Sequence, residues 1–472
     1  MMKKKELWKW GAVKIAKAVT NKKITAEEVI ISNIKRRKEI NPLLNAVVIE
    51  MDQQALKKAK NLDEKIKNGK KVGFLAGVPI TIKENVDVKN QSTTNGMKSF
   101  LSVVAKKNSP VVENLLNQDA IIIGRTNTPE ISYRWFTDNP LRGLTYNPWS
   151  RNLTPGGSSG GAASSVAMGI GAIAHGNDVG GSIRYPAYAC GITGIKPSLG
   201  RVPAFNPSAP KERSIGLQLM SVQGPHARTI GDLEIALKAM SLDGKNDPWW
   251  TKNIEEKTLN RNITIAFNKW AGGKVCNKRV LNAIDLTANI FRENGFKVVN
   301  KTPPSIADAA ECWRIIFGFE AKVSMLPLVK KIGSKAIINV VSGFVDQGNN
   351  PKVEDYFNAL AKRNKIIRIW NEFMVKYPVI ISPVSASLPY QQNEDQKSKK
   401  RLGEIIQEQS PLYVTNLLGL PSLAVPTEVV NDTPVGIQIT TSRFQESLAI
   451  KMGKIVEKNV GTFYEKLWEK YK

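Results

Sequence analysis

The chain is poor in the residues on which much enzyme chemistry depends. Its 472 residues include only two histidines, and its three cysteines, Cys190, Cys276 and Cys312, are widely spaced. An odd number of scattered cysteines argues against a disulfide framework and against a zinc cluster. No apolar run reaches the length that spans a bilayer, and lysines interrupt the apolar residues near the N-terminus. These absences predict a cytoplasmic protein with no membrane partner.

Acidic residues are also scarce relative to basic ones. Asp and Glu number 41 against 68 Lys and Arg, for a formal net charge of +27. The lysines are spread along the chain in short runs, for example at 57–58 and 399–400. No zinc-finger spacing, RNP-type aromatic strand or basic heptad region accompanies them. We interpret them as a lysine-rich surface and expect no nucleic-acid partner, although the charge is compatible with acidic partners or substrates.

Strand patterns alternate with helical stretches along the chain. A capping box from Thr25 to Glu28 opens a helix, which Asn41 and Pro42 are expected to end. A small-residue stretch at 162–174 suits a helix packed tightly against a sheet. A continuous apolar run predicts a buried strand at 120–124, and apolar patterns predict further strands at 78–82, 298–299, 379–382 and 434–440. Alternation of this kind predicts an α/β fold around a large, mainly buried mixed sheet.

Two glycine–serine segments bring hydroxyls close to unobstructed backbone N–H groups. In the first, at 156–161, Ser158 formally fits the G-x-S-x-G nucleophile elbow of α/β-hydrolases. That fold places its catalytic histidine late in the chain, whereas more than half of this chain follows His226. We interpret His175 as a core residue and His226 as a turn or capping residue. The elbow match is therefore weak.

The second glycine–serine segment is more specific. Residues 179–182, which end at Ser182, can line up consecutive N–H groups near one hydroxyl and so form an oxyanion hole. Asp178 and Arg184 flank the segment and are expected to hold it rigid by charge-assisted hydrogen bonds. A plain glycine-rich turn is the alternative for the Gly-Gly-Ser triplet alone.

A serine nucleophile needs a base, and histidine is scarce. Lys83 lies at the end of an apolar strand pattern. A lysine acts as a base only if burial lowers its pKa enough to populate the neutral amine. An exposed lysine at a strand end is the simpler alternative, and composition and periodicity do not decide between the two.

The segments 156–161 and 177–187 together resemble the signature of the amidase signature family. Ser158 and Ser182 are 24 positions apart, which fits the spacing of that family's two catalytic serines. The resemblance runs from about residue 7 to the C-terminus. Further matching segments lie at 77–79, 83–85, 124–130, 190–197, 224–229, 416–421 and 434–438.

The resemblance implies a role for each residue of the site. Ser182 matches the nucleophile that forms an acyl-enzyme, and Ser158, in a cis peptide with Gly157, matches the serine that passes protons. Lys83 matches the base. The N–H groups of 179–182 (Val179, Gly180, Gly181 and Ser182) are implied to bind the oxyanion, while Asp178 and Arg184 form the loop scaffold. This relay requires no histidine, metal or cofactor.

The resemblance also implies the fold and the organisation of the chain. A large mixed sheet is expected to be covered by helices on both faces, within one domain of 472 residues. Residues 391–400 are expected to form a surface loop. We expect an N-terminal helical layer at 1–70 and a catalytic core at 71–240. A peripheral, substrate-side layer is expected at 241–400, of which 241–302 is charged and turn-rich. Residues 401–472 are expected to form a C-terminal part of the core.

Within the family, the chain resembles stand-alone bacterial amidases such as acylamidases and cyclic-dimer or nylon-oligomer hydrolases. The alternative is the A subunit of a glutaminyl/asparaginyl-tRNA amidotransferase, but Tyr185 stands where that subunit typically has Gln. A non-catalytic binding module would have lost a residue of the relay. We expect a small-molecule amide substrate, bound by segments 133–137 (with Tyr133, Trp135 and Phe136) and 317–342. A homodimer is compatible with the resemblance.

Overall fold

One mixed β-sheet organises the protein. The computed structural model describes residues 6–252 and 263–471. Within these residues eleven strands share a sheet of order β1-β3-β2-β4-β6-β5-β10-β11-β9-β7-β8. The strands are β1 Val47–Glu50, β2 Pro79–Lys83, β3 Ile121–Thr126, β4 Ile173–Asp178, β5 Thr193–Lys196, β6 Val222–Ala227, β7 Thr264–Phe267, β8 Lys297–Asn300, β9 Val379–Pro383, β10 Ser422–Val430 and β11 Thr433–Thr441.

Helices connect and cover the strands. In chain order they are α1 Ala12–Thr20, α2 Ala26–Leu44, α3 Asp52–Lys67, α4 Pro110–Asn117, α5 Gly160–Ala167, α6 Arg184–Cys190, α7 Ile215–Met220, α8 Ile230–Met240, α9 Lys278–Glu293, α10 Ile306–Glu320, α11 Leu326–Ile332, α12 Lys335–Gln347, α13 Val353–Lys376, α14 Lys399–Glu408, α15 Ser410–Leu417, α16 Glu446–Val460 and α17 Tyr464–Glu469. Every residue of β2 and of β3 is buried. Because successive side chains of a strand point to opposite faces, both faces of the sheet are covered here. The predicted α/β fold is confirmed.

Strand direction brings distant parts of the chain together at one edge of the sheet. β2 runs parallel to β4, with Ile80 opposite Ile173 and Thr81 opposite Ala174. Parallel neighbours end at the same edge of a sheet. Lys83, the last residue of β2, therefore lies beside the last residues of β4.

Helix α2 begins as predicted and ends later than predicted. Thr25 and Glu28 form the capping box. The helix passes through Pro42 and ends at Leu44, because Asn45 takes up a left-handed conformation (φ 50°) and closes the last turn. The Asn41 side chain then accepts from the N–H groups of the next two residues after Asn45, at 3.0 and 2.9 Å.

The stretch 162–174 is not one helix, so that prediction is wrong. Helix α5 ends at Ala167, and strand β4 begins at Ile173. Gly169 and Gly171 both have φ near 80°, a backbone conformation that favours glycine and ends the helix. The small residues do pack tightly, as expected, but over fewer turns.

The region 241–400 contributes to the sheet as well as to its cover. It supplies β7, β8 and β9, which form one end of the strand order. The segment 391–400 is also more than a surface loop, because Asp395 is buried and α14 begins at Lys399. The proposed single domain and its four parts stay predictions, and positions 1–5, 253–262 and 472 of those parts lie outside the described residues.

Of the helices described, none combines the length and the apolar character needed to cross a membrane. The same residues contain no group of three or more His, Cys, Asp or Glu side chains placed to hold a metal ion.

Candidate active site

Lys83 is buried at the carboxyl end of β2. Its side chain is fully inaccessible to solvent, and its Nζ lies 2.7 Å from Ser158 Oγ and 3.1 Å from Ser159 Oγ. Burial lowers the pKa of Lys83 well below its ordinary value, and the charge of Asp178 only partly opposes this. The neutral amine is therefore populated at lower pH than in an exposed lysine.

Ser158 and Ser182 open onto one cavity. This cavity has a volume of about 420 Å³, and both serines and Asn177 line it. The Gly157–Ser158 peptide is cis. Within the described residues Ser182 Oγ has no hydrogen-bond partner, so the structure contains the Lys83–Ser158 contact but no Ser158–Ser182 bond. Catalytic hydrogen bonds in unliganded sites often close only with substrate.

The glycine-rich loop after β4 borders this cavity through Asp178, Val179 and Ser182. Gly181 N–H donates to Asp178 Oδ1 at 2.7 Å, so it is already engaged. The N–H groups of Val179, Gly180 and Ser182 have no acceptor in the part of the chain that the structure describes. Gly181 itself has φ 110°, and a side chain there would collide with Leu412. Of the four N–H groups expected to bind an oxyanion, three are available.

Two tryptophans hold the same loop from outside. Trp313 Nε1 donates to the carbonyl of Val179 at 3.0 Å, and Trp135 Nε1 donates to the carbonyl of Gly180 at 2.9 Å. A peptide group is planar, so fixing a carbonyl also fixes the N–H of the next residue. Trp313 thus sets the direction of the Gly180 N–H.

Asp178 and Arg184 form a buried ion pair beneath the loop. Arg184 Nε lies 3.1 Å from Asp178 Oδ2, and its Nη2 lies 3.0 Å from Oδ1. Burial alone would raise the pKa of Asp178, but the Arg184 guanidinium holds that pKa well below its usual range. The remaining guanidinium hydrogens of Arg184 are donated to the side chains of Thr415, Asn416 and Gln438.

Both histidines are core residues. His175 Nε2 lies 2.6 Å from Gln223 Oε1, and His226 Nε2 lies 2.9 Å from the carbonyl oxygen of Ile183. Burial lowers the pKa of His175 to about 3 and that of His226 to about 4, so both are neutral at pH 7. The expectation of a core role is confirmed for His175. The expected turn or capping role is wrong for His226, which lies in strand β6, where the Ile183 carbonyl satisfies its ring.

An aromatic wall lies beside Ser182. We use this name for five side chains: Tyr133, Trp135, Trp313, Phe317 and Phe344. Phe317 stacks on Trp313 with ring centroids 4.5 Å apart and on Tyr133 at 4.8 Å. Segments 133–137 and 317–342 do contribute, but Trp313 and Phe344 lie outside them. Phe136 packs elsewhere, against Tyr390 at 5.9 Å.

Fold and site together define a class of protein: an α/β protein in which a buried serine–lysine contact lies beside a glycine-rich loop. The Amidase family model matches residues 28–450, so the chain belongs to the amidase family. It is an enzyme that hydrolyses amide bonds.

Three comparisons describe its relatives. The chain is 39% identical over 465 residues to the indoleacetamide hydrolase of Bradyrhizobium diazoefficiens, covering 98% of this chain and 89% of that protein. It is 28% identical over 480 residues to the A subunit of the glutamyl-tRNA(Gln) amidotransferase of Clostridium kluyveri, covering 95% of each. A solved bacterial aryl acylamidase of the amidase signature family superposes with a TM-score of 0.82 at 26% identity, covering 97% of this chain and 98% of that one.

Proposed function

We propose that the chain hydrolyses a small arylacetamide-type amide on its own, through an acyl-enzyme on Ser182. The observation that carries the proposal is the 2.7 Å contact between the buried Lys83 Nζ and Ser158 Oγ, in the cavity that Ser182 lines. A buried lysine with a lowered pKa supplies the base that a histidine supplies elsewhere.

Acylation begins when Ser182 Oγ attacks the amide carbon. Its proton passes to Ser158 Oγ as the Ser158 proton passes to the neutral amine of Lys83. The tetrahedral oxyanion accepts hydrogen bonds from the free N–H groups of Val179, Gly180 and Ser182, which are fixed before the charge develops. Attack is thereby coupled to charge stabilisation without a histidine.

Collapse of the intermediate reverses the proton path. The Lys83 ammonium returns a proton through Ser158 to the amide nitrogen, and ammonia or an amine leaves. Water then attacks the acyl group on Ser182 by the same route and releases the carboxylate. Burial of Lys83 favours this return, because the charged ammonium is poorly solvated there.

The aromatic wall supports an aryl acyl group. Tyr133 lines both the cavity of about 420 Å³ and a small adjoining pocket, and the other four wall residues line the adjoining pocket, which Ser182 also lines. Such surfaces favour a flat aromatic body over a short aliphatic chain. One relative is named an indoleacetamide hydrolase, and indoleacetamide carries its aryl group on the acyl side. An arylacetamide therefore fits both this name and the aromatic wall.

The tRNA-dependent amidotransferase is the less favoured alternative. Relatives of that kind are more distant than the indoleacetamide hydrolase, and Tyr185 is wholly buried and stacked on Tyr188 with centroids 6.2 Å apart. The net charge of +27 is the feature that suits a tRNA-bound complex. The cytoplasmic location and the homodimer stay predictions.

The test is ammonia release by the purified chain without a partner. We expect indole-3-acetamide and phenylacetamide to give a higher kcat/KM than hexanamide, and glutamine to give little turnover. Activity confined to glutamine, or dependent on a partner protein, would favour the amidotransferase. The Ser182→Ala variant, assayed in parallel, controls for a contaminating amidase.

A further inference from the structure

Asn177 contacts the proposed base directly. It lies at the end of β4, next to the end of β2, and its Oδ1 accepts a hydrogen bond from Lys83 Nζ at 2.7 Å. This distance equals that from Lys83 to Ser158. Asn177 is half-buried and lines the cavity, and although it begins the signature segment 177–187, the sequence assigns it no role.

The hydrogen bonds around Lys83 can be assigned one by one. An amide oxygen only accepts, so Asn177 Oδ1 takes one N–H of Lys83. The Ser159 hydroxyl donates to the backbone carbonyl of Asn177 at 3.4 Å, so its lone pairs are left for a second N–H at 3.1 Å. A neutral primary amine has two N–H groups and one lone pair. The lone pair therefore faces the third neighbour, Ser158 Oγ.

We propose that Asn177 is a positioning residue, which orients the neutral amine of Lys83 so that its lone pair faces Ser158. This inference rests on the proposed relay. Asn177 acts twice, through its side-chain Oδ1 on Lys83 and through its backbone carbonyl on Ser159. Without it, the amine is free to rotate, and the lone pair points to Ser158 for only part of the time.

An uncharged acceptor is required at this position. A carboxylate at the same distance would attract the ammonium form of Lys83 and raise its pKa. A smaller fraction of Lys83 would then be the neutral base at any given pH. Asparagine supplies the acceptor oxygen without that charge, which is why replacement by aspartate, of nearly the same shape, is the sharpest test.

The experiment measures the rate at which a fluorophosphonate labels Ser182, as a function of pH, because labelling needs the base but not the natural substrate. In Asn177→Asp we expect the acid limb of the pH–labelling profile to move up by about 2 pH units, so that labelling at a pH below the wild-type limb is roughly 100-fold slower and recovers in alkali. Asn177→Leu should label roughly 10- to 100-fold slower without that upward movement. Asn177→Thr, which restores an acceptor oxygen, should recover part of the rate.

Asn268→Asp serves as the matched control. Asn268 is buried more deeply than Asn177, its Oδ1 accepts from Trp270 N–H at 3.2 Å, and it has no bond to Lys83 or Ser158 among the described residues. The same chemical change at this position should leave the acid limb where the wild type has it. If the acid limb moved as far in Asn268→Asp as in Asn177→Asp, any buried negative charge would produce the effect. That result would contradict the role proposed for Asn177.

The outcomes separate the two proposals. An acid limb unchanged in Asn177→Asp, or a wild-type rate in Asn177→Leu, overturns the role of Asn177. Failure of the wild-type chain to label at Ser182 overturns the proposed function instead. If Asn177→Asp does not fold, the labelling rates of Asn177→Leu and Asn177→Thr are compared instead. Equal rates in those two variants would exclude a role for the acceptor oxygen.

Discussion

The catalytic loop and the aromatic wall are built in different ways. The loop is a single segment, 178–184, whose ion pair joins residues six positions apart. The wall draws its five side chains from segments around 133–135, 313–317 and 344. The loop thus has an internal ion pair of its own, to which distant segments add further bonds, whereas the wall exists only where distant segments pack together.

The two regions nevertheless meet at two tryptophans. Trp135 and Trp313 belong to the wall, and their indole N–H groups hold carbonyls of the loop. A substitution in the wall can therefore disturb the loop, unless it spares these two residues. Substitutions at Phe317 and at the loop scaffold separate the two regions most cleanly.

The largest expected effect is loss of the nucleophile. Ser182→Ala should lower turnover by roughly 10⁵-fold or more, because no other described hydroxyl lies on the oxyanion loop. Single-turnover assays with a sensitive ammonia readout would measure it. Near-UV circular dichroism matching the wild type would show that the fold is kept, and residual activity within tenfold of the wild type would exclude Ser182 as the nucleophile.

Loss of the base comes next. Lys83→Ala should lower kcat by roughly 10³- to 10⁵-fold at neutral pH, because Ser158 then has no acceptor for its proton. In the wild type, kcat/KM should fall as pH decreases, since protonation of Lys83 removes the base. Its lowered pKa places that fall well below the ordinary lysine range. Near-normal activity of Lys83→Ala at pH 7 would contradict the relay.

Breaking the scaffold should reduce stability as well as activity. Asp178→Asn leaves the buried Arg184 without its carboxylate, which costs about 3–5 kcal/mol of unfolding free energy. Asp308→Asn is the control, because Asp308 pairs with Lys362 at 2.8 Å on the surface. Urea denaturation should show a loss of no more than about 1 kcal/mol for this control. Equal losses of unfolding free energy in both variants would contradict the assignment of Asp178 and Arg184 as the scaffold of the loop.

A substitution in the wall should change substrate preference with little effect on the chemistry. Phe317→Leu removes a stacked ring and should lower kcat/KM for an arylacetamide by roughly 10- to 100-fold, mainly through KM. The kcat/KM for hexanamide and the fluorophosphonate labelling rate should stay close to those of the wild type. If Phe317→Leu also labelled more slowly with the fluorophosphonate, the substitution in the wall would have disturbed the chemistry of the loop as well.

The smallest effect concerns the neutral histidines. The folded-state pKa values of His175 and His226, about 3 and about 4, lie below the unfolded value of 6.5. As pH falls below 6.5 the unfolded chain binds protons that the folded chain does not, so each histidine removes about 1.4 kcal/mol of stability per pH unit. Urea denaturation at pH 7 and 5.5 measures this loss, and His175→Asn should reduce it. An equal loss in that variant would contradict the assignment to His175.

The sequence predicted the catalytic loop better than the wall. Asp178 and Arg184 are close in sequence, so their pairing was open to local reasoning. The roles of Ser158, Ser182 and Lys83 came from family resemblance, because burial of Lys83 depends on tertiary packing that its neighbours in sequence do not reveal.

What was missed depends on contacts between distant segments. Trp313 and Phe344 reach the site because helices α10 and α12 pack over the loop, and nothing near them in sequence indicates this. Asn177 begins the signature segment 177–187, but its contact with Lys83 requires the parallel pairing of β2 with β4. The sequence around His226 indicates a turn or capping residue, because the carbonyl that satisfies its ring belongs to a segment 43 positions away.

The most direct test of the account is to locate the acyl-enzyme. The chain is mixed with a 4-nitrophenyl ester of an arylacetic acid, for which acylation outpaces deacylation, then quenched in acid and mapped by peptide mass spectrometry. We expect an arylacetyl group on Ser182 and none in Ser182→Ala. An acyl group on Ser158, or rapid turnover with no acylated peptide, would contradict the division of roles between the two serines.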